Sequence, residues 1–312
     1  MDMGRSNAIE HYDYIVIGAG PSGCASAALL KRAGNSVLVL EGKTPESRKV
    51  CGGGISIAAM NAFKKMEFPV DRIRKAGNRI TDYYSYEEGC LFRHVLSPRE
   101  EAYGLDRKIT DGLLRSYIES DLGVRITYGY KVSKISKVDG VFVVGHYHTD
   151  KLVLACGASM PPKGTGLAII PQNERPVGVS MVVKSLKRDA HYFMFDYSES
   201  YRGTYGWVFS LGGGLFNVGL WLKSTMKESI WTEFESFVDR QSSAWVGKSY
   251  EVIAQPRSFP FGVKSNWLNV PDGMIAVGDA KCGSNPQTGE GLSRAINSAI
   301  SAFGGDKNNA DD

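Results

Sequence analysis

Two continuous apolar runs near the N-terminus enclose a Gly-rich turn and a stretch of small residues. YIVI (residues 14–17) and SVLVLE (residues 36–41) are rich in β-branched and aliphatic side chains, which is typical of strands buried on both faces of a sheet. Between them, GAGPSG precedes CASAALLKRAG, whose small and apolar residues predict a helix ended by a glycine. The order strand, Gly-rich turn, helix, strand within about 30 residues predicts the first unit of a dinucleotide-binding fold.

The central third of the chain has a different pattern. Short apolar and aromatic runs broken by turn residues fill residues 176–222 and predict an antiparallel sheet. Within TYGWVFS, strand alternation places Tyr205, Trp207 and Phe209 on one face. Such spacing fits either core packing or the wall of a ligand cavity.

Two further elements follow toward the C-terminus. MKESIWTEFESFVDRQ (residues 226–241) carries Ile230, Phe234 and Phe237 at helical spacing, which predicts an amphipathic helix. DGMIAVGDA (residues 272–280) predicts another apolar strand, which leads into a second Gly-rich stretch and a helix beginning near Gly289–Leu292.

Composition narrows the classes of function. The 312 residues, 43% hydrophobic and 22% charged, predict two interlocked soluble domains. A net charge of +4 with scattered Lys and Arg predicts no nucleic-acid partner. The five cysteines lack CxxC spacing, which argues against a disulfide framework or a metal site and favours a reducing, cytoplasmic location. With no signal peptide and no apolar run of about 18 residues, we expect no transmembrane segment, while peripheral membrane contact stays compatible with the sequence.

The two Gly-rich loops together predict an extended dinucleotide ligand. In the first, Gly18 permits the tight turn, Gly20 lets a pyrophosphate approach and Gly23 allows close packing of helix and strand. Glu41 is placed to accept hydrogen bonds from the adenosine ribose. In the second, Asp279 would accept ribityl hydroxyls of FAD, and the following helix would direct its amides at the flavin pyrimidine oxygen.

With both loops in place, the chain resembles the geranylgeranyl reductase family, within the p-hydroxybenzoate hydroxylase superfamily of FAD-dependent oxidoreductases. The resemblance covers about residues 12–303 and rests on five stretches in the family's order: GAGPSG with Glu41, KVCGGGIS, LDRKITDGLLRSYI, TYGWVFS followed by FNVGL, and GDAKCGSNPQTGEGL. Ser210 stands where the family often has proline, so we expect a different local bend there.

The resemblance implies an α/β fold, with a Rossmann-type FAD-binding domain of the p-hydroxybenzoate hydroxylase kind and an inserted antiparallel-sheet substrate domain. We predict a discontinuous FAD-binding domain over residues 1–80, 101–160 and 266–312, because the two loops lie at opposite ends of the chain. Residues 81–100 and 161–265 would then form the substrate domain, whose sheet would roof the flavin.

The loops and the resemblance together assign the site residues. Those expected to contact FAD are Gly18, Gly20, Pro21, Ser22, Gly23, Glu41, Gly42, Cys51, Gly52, Gly53, Arg107, Gly157, Gly278, Asp279, Pro286, Gly289, Gly291 and Leu292. Those expected to be catalytic are Cys51, Tyr205 and Trp207. For Cys51, a thiol proton donor, a redox group, a pocket-wall residue and a small buried hydrophobe all fit. For Arg107, a contact to FAD competes with a surface ion pair to Asp111, four residues on.

The function expected first is reduction of carbon–carbon double bonds in an apolar, prenyl-type small molecule or lipid, by hydride transfer from reduced flavin. Since no second Rossmann fingerprint is present, NAD(P)H or a ferredoxin-type donor would supply the electrons. A flavin-dependent monooxygenase or halogenase of the same superfamily is the alternative. A non-enzymatic prenyl-binding protein of related fold is a third reading, which the intact second loop disfavours.

Overall fold

The computed structural model describes residues 9–158, 162–165, 175–186, 189–201, 203–260, 271–285 and 288–305. These residues build two seven-stranded sheets and one small three-stranded sheet. Helices cover one face of each large sheet, so that each large sheet has its own apolar core.

The first large sheet contains the dinucleotide unit predicted from the sequence. Its order is β8–β2–β1–β11–β10–β9. On the β10 side of β11, β10 pairs with the first residues of β11 and β17 pairs with its last three. Pairing is parallel across β8, β2, β1, β11 and β17, and antiparallel across β11, β10 and β9. The bounds are β1 Glu10–Ile17, β2 Val37–Glu41, β8 Arg125–Tyr128, β9 Ser136–Val138, β10 Val141–Val144, β11 Tyr147–Leu154 and β17 Met274–Ala276.

Helices from both ends of the chain pack on this sheet. The bounds are α1 Pro21–Arg32, α2 Ile57–Lys65, α3 Asp71–Ala76, α4 Arg107–Ser116, which continues into a π-helical turn at Tyr117–Asp121, and α6 Leu292–Phe303. Small residues line α1 because α6 packs closely along it, and the two helices share one core. This packing brings the first and second Gly-rich loops to the same edge of the sheet.

The second large sheet has the order β16–β12–β15–β14–β13–β5–β6. Its pairings are antiparallel except for β5 with β13, which run parallel with Tyr83 opposite Phe193. The strands of residues 176–222, where the sequence predicted an antiparallel sheet, pair antiparallel with one another. The parallel pairing is made by β5, which joins the sheet from a distant part of the chain. The bounds are β5 Asp82–Glu87, β6 Cys90–Val95, β12 Val177–Ser185, β13 Tyr192–Asp196, β14 Tyr205–Gly212, β15 Leu215–Leu222 and β16 Tyr250–Pro260.

One helix covers the outer face of this sheet. The sequence predicted a helix over residues 226–241, whereas α5 spans Ile230–Trp245 and is preceded by a 3-10 turn at Ser224–Ser229. The buried face of α5 begins only at Ile230 and continues through Phe234 and Phe237, as expected from the apolar spacing. Packing therefore selects where the regular helix starts.

The small sheet joins the two large ones. It consists of β3 Gly54–Ile55, β4 Asn78–Arg79 and β7 Tyr103–Gly104, paired in the order β3–β7–β4. The strands of the first large sheet come from residues 10–154 and 274–276, and those of the second from residues 82–95 and 177–260. The division of the chain into an FAD-binding and a substrate domain stays a prediction. Within the described residues, none of the helices combines the length and apolarity needed to cross a bilayer.

Candidate functional site

A cavity of about 1050 Å³ is lined by the second large sheet, by Gly54 of the small sheet, and by Ala155 and Gly157, which follow β11 of the first large sheet. This volume lies at the upper end of what protein sites for small molecules and cofactors enclose. Much of the lining comes from the start of α1, the CGGG segment at residues 51–54, the aromatic side of the second sheet, and residues 284, 285 and 288–295 around the start of α6.

The start of α1 is shaped to hold a phosphate. Gly20 lines the cavity, and a Cβ built on it would meet nothing within 4 Å, so a ligand can approach its backbone. No side chain caps the helix, which leaves its first amides directed at the cavity beside Pro21 and Ser22. Gly18 and Gly23 lie behind: a Cβ on Gly23 would come 1.9 Å from the carbonyl oxygen of Gly18. This uncapped, open cradle fits the pyrophosphate of FAD.

Glu41 ends β2, as the sequence predicted, and its carboxylate braces the turn. Oε2 accepts a hydrogen bond of 2.7 Å from the backbone amide of Ala19, and Oε1 accepts one of 2.8 Å from the backbone amide of Lys43. A carboxylate has about four acceptor positions, so sites remain for ribose hydroxyls. Gly42 packs beside Lys131.

The second Gly-rich loop reaches the same cavity. Asp279, Gly289, Gly291 and Leu292 line it, and so does Gly157, which follows β11. Gly278 instead packs against α1: a Cβ built on it would lie 2.5 Å from Oγ of Ser22. Pro286 lies outside the described residues.

The start of α6 departs from the sequence expectation in one respect. The helix begins at Leu292, as predicted, but the amide of Ser293 donates to Oε1 of Glu290 at 2.7 Å. This amide is therefore already engaged by the protein and not directed at a flavin oxygen. Glu290 was missed, although an acid at a helix start is a capping signal visible in the sequence.

Arg294 was also missed. Its Nε and Nη2 donate to the carbonyl oxygens of Gly283 and Cys282, at 3.1 Å each, and the residue lines the cavity. These bonds fasten the second loop to the first turn of α6. A single arginine in a helical stretch carries no sequence signal for this role.

An aromatic wall forms the side of the cavity that faces the CGGG segment. It consists of Phe193, Phe195, Tyr205, Trp207 and Phe209, which come from β13 and β14. The rings of Phe193 and Phe209 lie 4.4 Å apart between centroids. The alternation predicted for β14 is therefore present, and its face lines a cavity.

The CGGG segment is pressed against this wall. A Cβ on Gly52 would lie 3.0 Å from Nε1 of Trp207 and 3.1 Å from the ring of Phe209. Gly53 has φ +76°, and a Cβ on it would lie 2.8 Å from the carbonyl oxygen of Leu105. Glycine is required here because the backbone passes so close to the rings and to the neighbouring chain.

Ser210 is held by hydrogen bonds next to a register shift in the pairing of β14 with β15, whereas the different local bend expected there stays a prediction. Nδ2 of Asn78 donates to Oγ of Ser210 at 2.9 Å, and the hydroxyl donates in turn to the carbonyl oxygen of Ala190. A proline at this position would lack the hydroxyl, so serine ties β14 to the small sheet in this chain.

Tyr205 links the aromatic wall to the second loop. Its hydroxyl donates to the carbonyl oxygen of Thr288, close to the start of α6. Burial raises the pKa of this phenol, which stays protonated. Burial also raises the pKa of Tyr83, another cavity residue, to about 12.

Arg107 forms a buried ion pair beside Cys51. Its Nη2 and Nε lie 2.8 and 3.1 Å from Oδ1 of Asp111, and the two side chains are 9% and 12% exposed. Nη1 lies 3.8 Å from Sγ of Cys51. Although burial alone would lower it, the pKa of Arg107 is raised because Asp111 and Cys51 favour the charged form. The ion pair with Asp111 is thus present, but it lies at the cavity and not at the surface.

The structure thus brings most of the predicted site residues to one cavity. These are Gly20, Pro21, Ser22, Cys51, Gly52, Gly53, Arg107, Gly157, Tyr205, Trp207, Asp279, Gly289, Gly291 and Leu292. Gly18, Gly23, Glu41, Gly42 and Gly278 are outside its lining. Their individual roles toward FAD and substrate stay predictions.

Comparisons with known proteins agree with this geometry. The FAD binding domain family matches residues 11–89. A menaquinone reductase of Mycobacterium tuberculosis is 26% identical over 309 residues, covering 90% of this chain and 72% of the relative. Digeranylgeranylglycerophospholipid reductase 2 of Methanopyrus kandleri is 25% identical over 313 residues, covering 91% of this chain and 74% of the relative.

The fold is also found among solved structures. A geranylgeranyl bacteriochlorophyll reductase-like protein of Thermoplasma acidophilum superposes with a TM-score of 0.79 at 21% identity, covering 95% of this chain and 77% of that one. The expected fold class, the cofactor FAD and the resemblance to geranylgeranyl reductases are confirmed.

Proposed function

We propose that this chain, an FAD-dependent oxidoreductase similar to geranylgeranyl reductases, reduces a carbon–carbon double bond in an apolar substrate of the prenyl-lipid class. The observation that carries the proposal is one continuous cavity, with an uncapped helix start at one part and an aromatic wall at another. A polar cofactor fits the first part and an apolar chain the second. The names of the two curated relatives, a menaquinone reductase and a digeranylgeranyl lipid reductase, support this substrate class.

The chain's own residues would bind and orient both partners. Bound FAD, once reduced, supplies a hydride. The start of α1 and Asp279 would hold the cofactor, while the aromatic wall would exclude water and pack along the substrate. The reduction also needs one proton for the second carbon of the double bond.

Cys51 is our proposed donor of that proton. It lines the cavity, and Sγ lies 3.8 Å from Nη1 of Arg107. When the S–H bond breaks and its proton forms the new C–H bond, the guanidinium would stabilise the thiolate that remains. Water would then return a proton to sulfur, so the residue ends the cycle unchanged.

The five cysteines are free, which suits the reducing, cytoplasmic location that we propose. Cys51 therefore keeps the thiol that this role requires. A lipid substrate would reach the protein from a membrane surface or a carrier.

One observation keeps the alternative function in view. Lys49 also lines the cavity, two residues before Cys51, and a flavin-dependent halogenase requires a lysine near its oxidant. Halogenation would consume oxygen and a halide, whereas alkene reduction needs neither. The two functions therefore give different products from the same protein.

The experiment uses the FAD-loaded chain reduced anaerobically with dithionite, which replaces the natural electron donor. Geranylgeraniol and a short-chain menaquinone are added in detergent, and products are analysed by mass spectrometry. We expect the flavin to be reoxidised anaerobically. Air then returns any menaquinol to the quinone, and we expect a product that stays heavier by two hydrogen atoms for each double bond reduced in the prenyl chain. No reduced product with either probe would overturn the proposal, and a halogenated aromatic probe formed with oxygen and bromide would establish the alternative.

A further inference from the structure

Asn217 connects the aromatic wall to the Cys51 segment through both ends of its amide. Oδ1 accepts a hydrogen bond of 2.7 Å from Nε1 of Trp207, on the neighbouring strand. Nδ2 donates one of 2.9 Å to the carbonyl oxygen of Cys51. The side chain is 1% exposed, so both bonds are shielded from water.

The bonding fixes the orientation of this amide. The indole N–H can only donate, so it faces the amide oxygen, and the carbonyl of Cys51 can only accept, so it faces the amide nitrogen. If the amide were flipped, its NH₂ group would face the indole N–H and its oxygen would face the carbonyl oxygen of Cys51. Neither hydrogen bond could then form. The arrangement therefore sets Trp207 and Cys51 at a defined distance from each other.

The segment that Asn217 holds lies against the rings of Trp207 and Phe209, but after Cys51 it has no side chains of its own with which to anchor there. Gly52, Gly53 and Gly54 follow Cys51 and contribute no side-chain contacts of their own. Glycine backbone is also the most flexible in a protein chain. A tether at the carbonyl of Cys51 therefore restrains the thiol more than it would in an ordinary loop.

We propose that Asn217 is a positioning residue that holds the Cys51 thiol beside Arg107 and in register with Trp207. It acts through Cys51 and does not itself line the cavity. That the position of Cys51 matters for turnover rests on the proposed function, whereas the tether itself does not.

The test measures alkylation of individual cysteines by iodoacetamide, with peptides resolved by mass spectrometry. Two other cysteines serve as internal standards in the same sample. Cys90 is exposed and reports reagent activity, while Cys24 is fully buried and reports general unfolding. Since alkylation needs no substrate or electron donor, it is independent of whether alkene reduction is the reaction.

Two substitutions separate the bonds of Asn217. Asn217→Asp keeps an acceptor for Trp207 at almost unchanged volume, and in its ionised form it has no donor for Cys51. Asn217→Leu removes both. Asn78→Leu is the matched control, because it removes the hydrogen bonds to Ser210 and Ala190 near the same wall and leaves the Cys51 carbonyl bonded.

Asn217→Asp and Asn217→Leu should each raise the alkylation rate of Cys51 by about tenfold, the change expected from losing a hydrogen bond of ordinary strength. Cys90 should react at its wild-type rate, Cys24 should stay protected, and Asn78→Leu should leave Cys51 unchanged. In turnover, Asn217→Asp should lower kcat while KM and FAD content stay near wild type.

Two results would overturn the proposal. One is a Cys51 rate in Asn217→Asp that equals the wild-type rate while Cys24 is protected. The other is a joint rise at Cys51 and Cys24, which would assign Asn217 to the general stability of the sheet. If Asn217→Leu does not fold, Asn217→Asp decides alone.

Discussion

The carboxylate of Asp111 lies 2.8 Å from Nη2 of Arg107, one helical turn away, and both side chains are almost completely withdrawn from solvent. An ion pair at this spacing is ordinarily a surface feature of a helix. Here the pair lies at the cavity, where loss of one partner leaves a buried charge.

Asp111→Ala should therefore destabilise the protein by about 3–5 kcal/mol, since the guanidinium would remain unpaired. Asp71→Ala is the matched control, because Asp71 pairs with Arg74 within one helix but is 89% exposed. That control should cost less than about 1 kcal/mol. Urea unfolding measures both, and equal small losses would show that burial of the Arg107 pair carries no energetic weight.

Protonation of Glu101 in acid should lower the free energy of unfolding of the protein. Hydrogen bonds from Arg74 and Lys64 hold the pKa of this carboxyl at about 2, against an ordinary value of 4.5. Because the folded pKa is the lower one, the contribution is complete above pH 4.5 and is lost as the pH falls toward 2. We expect a loss of about 1–2 kcal/mol, reduced by screening since Lys64 and Arg74 are about 40% exposed.

Glu101→Gln should remove this contribution at neutral pH and flatten the dependence of unfolding free energy on pH between 4.5 and 2. Glu88→Gln, at an exposed turn, is the control and should retain the wild-type slope. A variant at position 101 with the wild-type slope would assign the acid sensitivity to other carboxylates.

Gly219→Ala should displace the Trp207 indole, because the new Cβ would lie 2.1 Å from Cζ2 of that ring. Overpacking of this kind costs about 1–3 kcal/mol. Gly206→Ala makes a comparable collision with Phe237 on the α5 side of the same sheet. Turnover per folded molecule should fall in Gly219→Ala and persist in Gly206→Ala. An equal fall in both variants would show that the position of the Trp207 ring has no specific effect on turnover.

Asp279→Ala should weaken FAD binding by at least about tenfold, the loss expected when hydrogen bonds to a charged group disappear. Asp279 lines the cavity in which FAD is expected to bind. Titration of the apoprotein with FAD, followed by quenching of flavin fluorescence, measures the change. Asp272→Ala, in the exposed turn before β17, should bind FAD normally, and normal binding by Asp279→Ala would contradict the assigned contact.

Cys51→Ser should slow alkene reduction while FAD stays bound, because a hydroxyl is a much weaker acid than a thiol. We expect kcat to fall by about 10²–10⁴-fold, the usual contribution of a positioned proton donor. Cys90→Ser, on the exposed strand β6, should turn over normally. Wild-type turnover by Cys51→Ser would leave Cys51 as a pocket-wall residue.

Local signals in the sequence predicted several elements close to their observed bounds. The β1–α1–β2 unit and the start of α6 follow from apolar periodicity, glycine positions and a proline at the first helical turn. Those signals act within about one turn or one strand, so the surrounding fold hardly alters them. The cofactor FAD followed from the two Gly-rich loops and the fold class from the family resemblance, and both are confirmed.

Other features depend on residues far apart in the chain. The parallel pairing of β5 with β13 joins strands about a hundred residues apart, and no local pattern encodes it. The 3-10 turn that delays α5 to Ile230 also results from packing, since only the later residues face the sheet. Tertiary contacts overrode the periodicity at both places.

The sequence by itself determined that the chain forms a dinucleotide fold with FAD as its cofactor, and that it presents aromatic residues on one strand face. That two Gly-rich loops hold the FAD stays a prediction from the sequence. Only the tertiary structure decided that Arg107 and Asp111 are buried together, that Arg294 fastens the second loop to α6, and that Asn217 joins Trp207 to Cys51. The physical reason is one of range. Backbone preference and periodicity act between neighbours in sequence, whereas desolvation and hydrogen-bond partners depend on which distant segments the completed fold brings into contact.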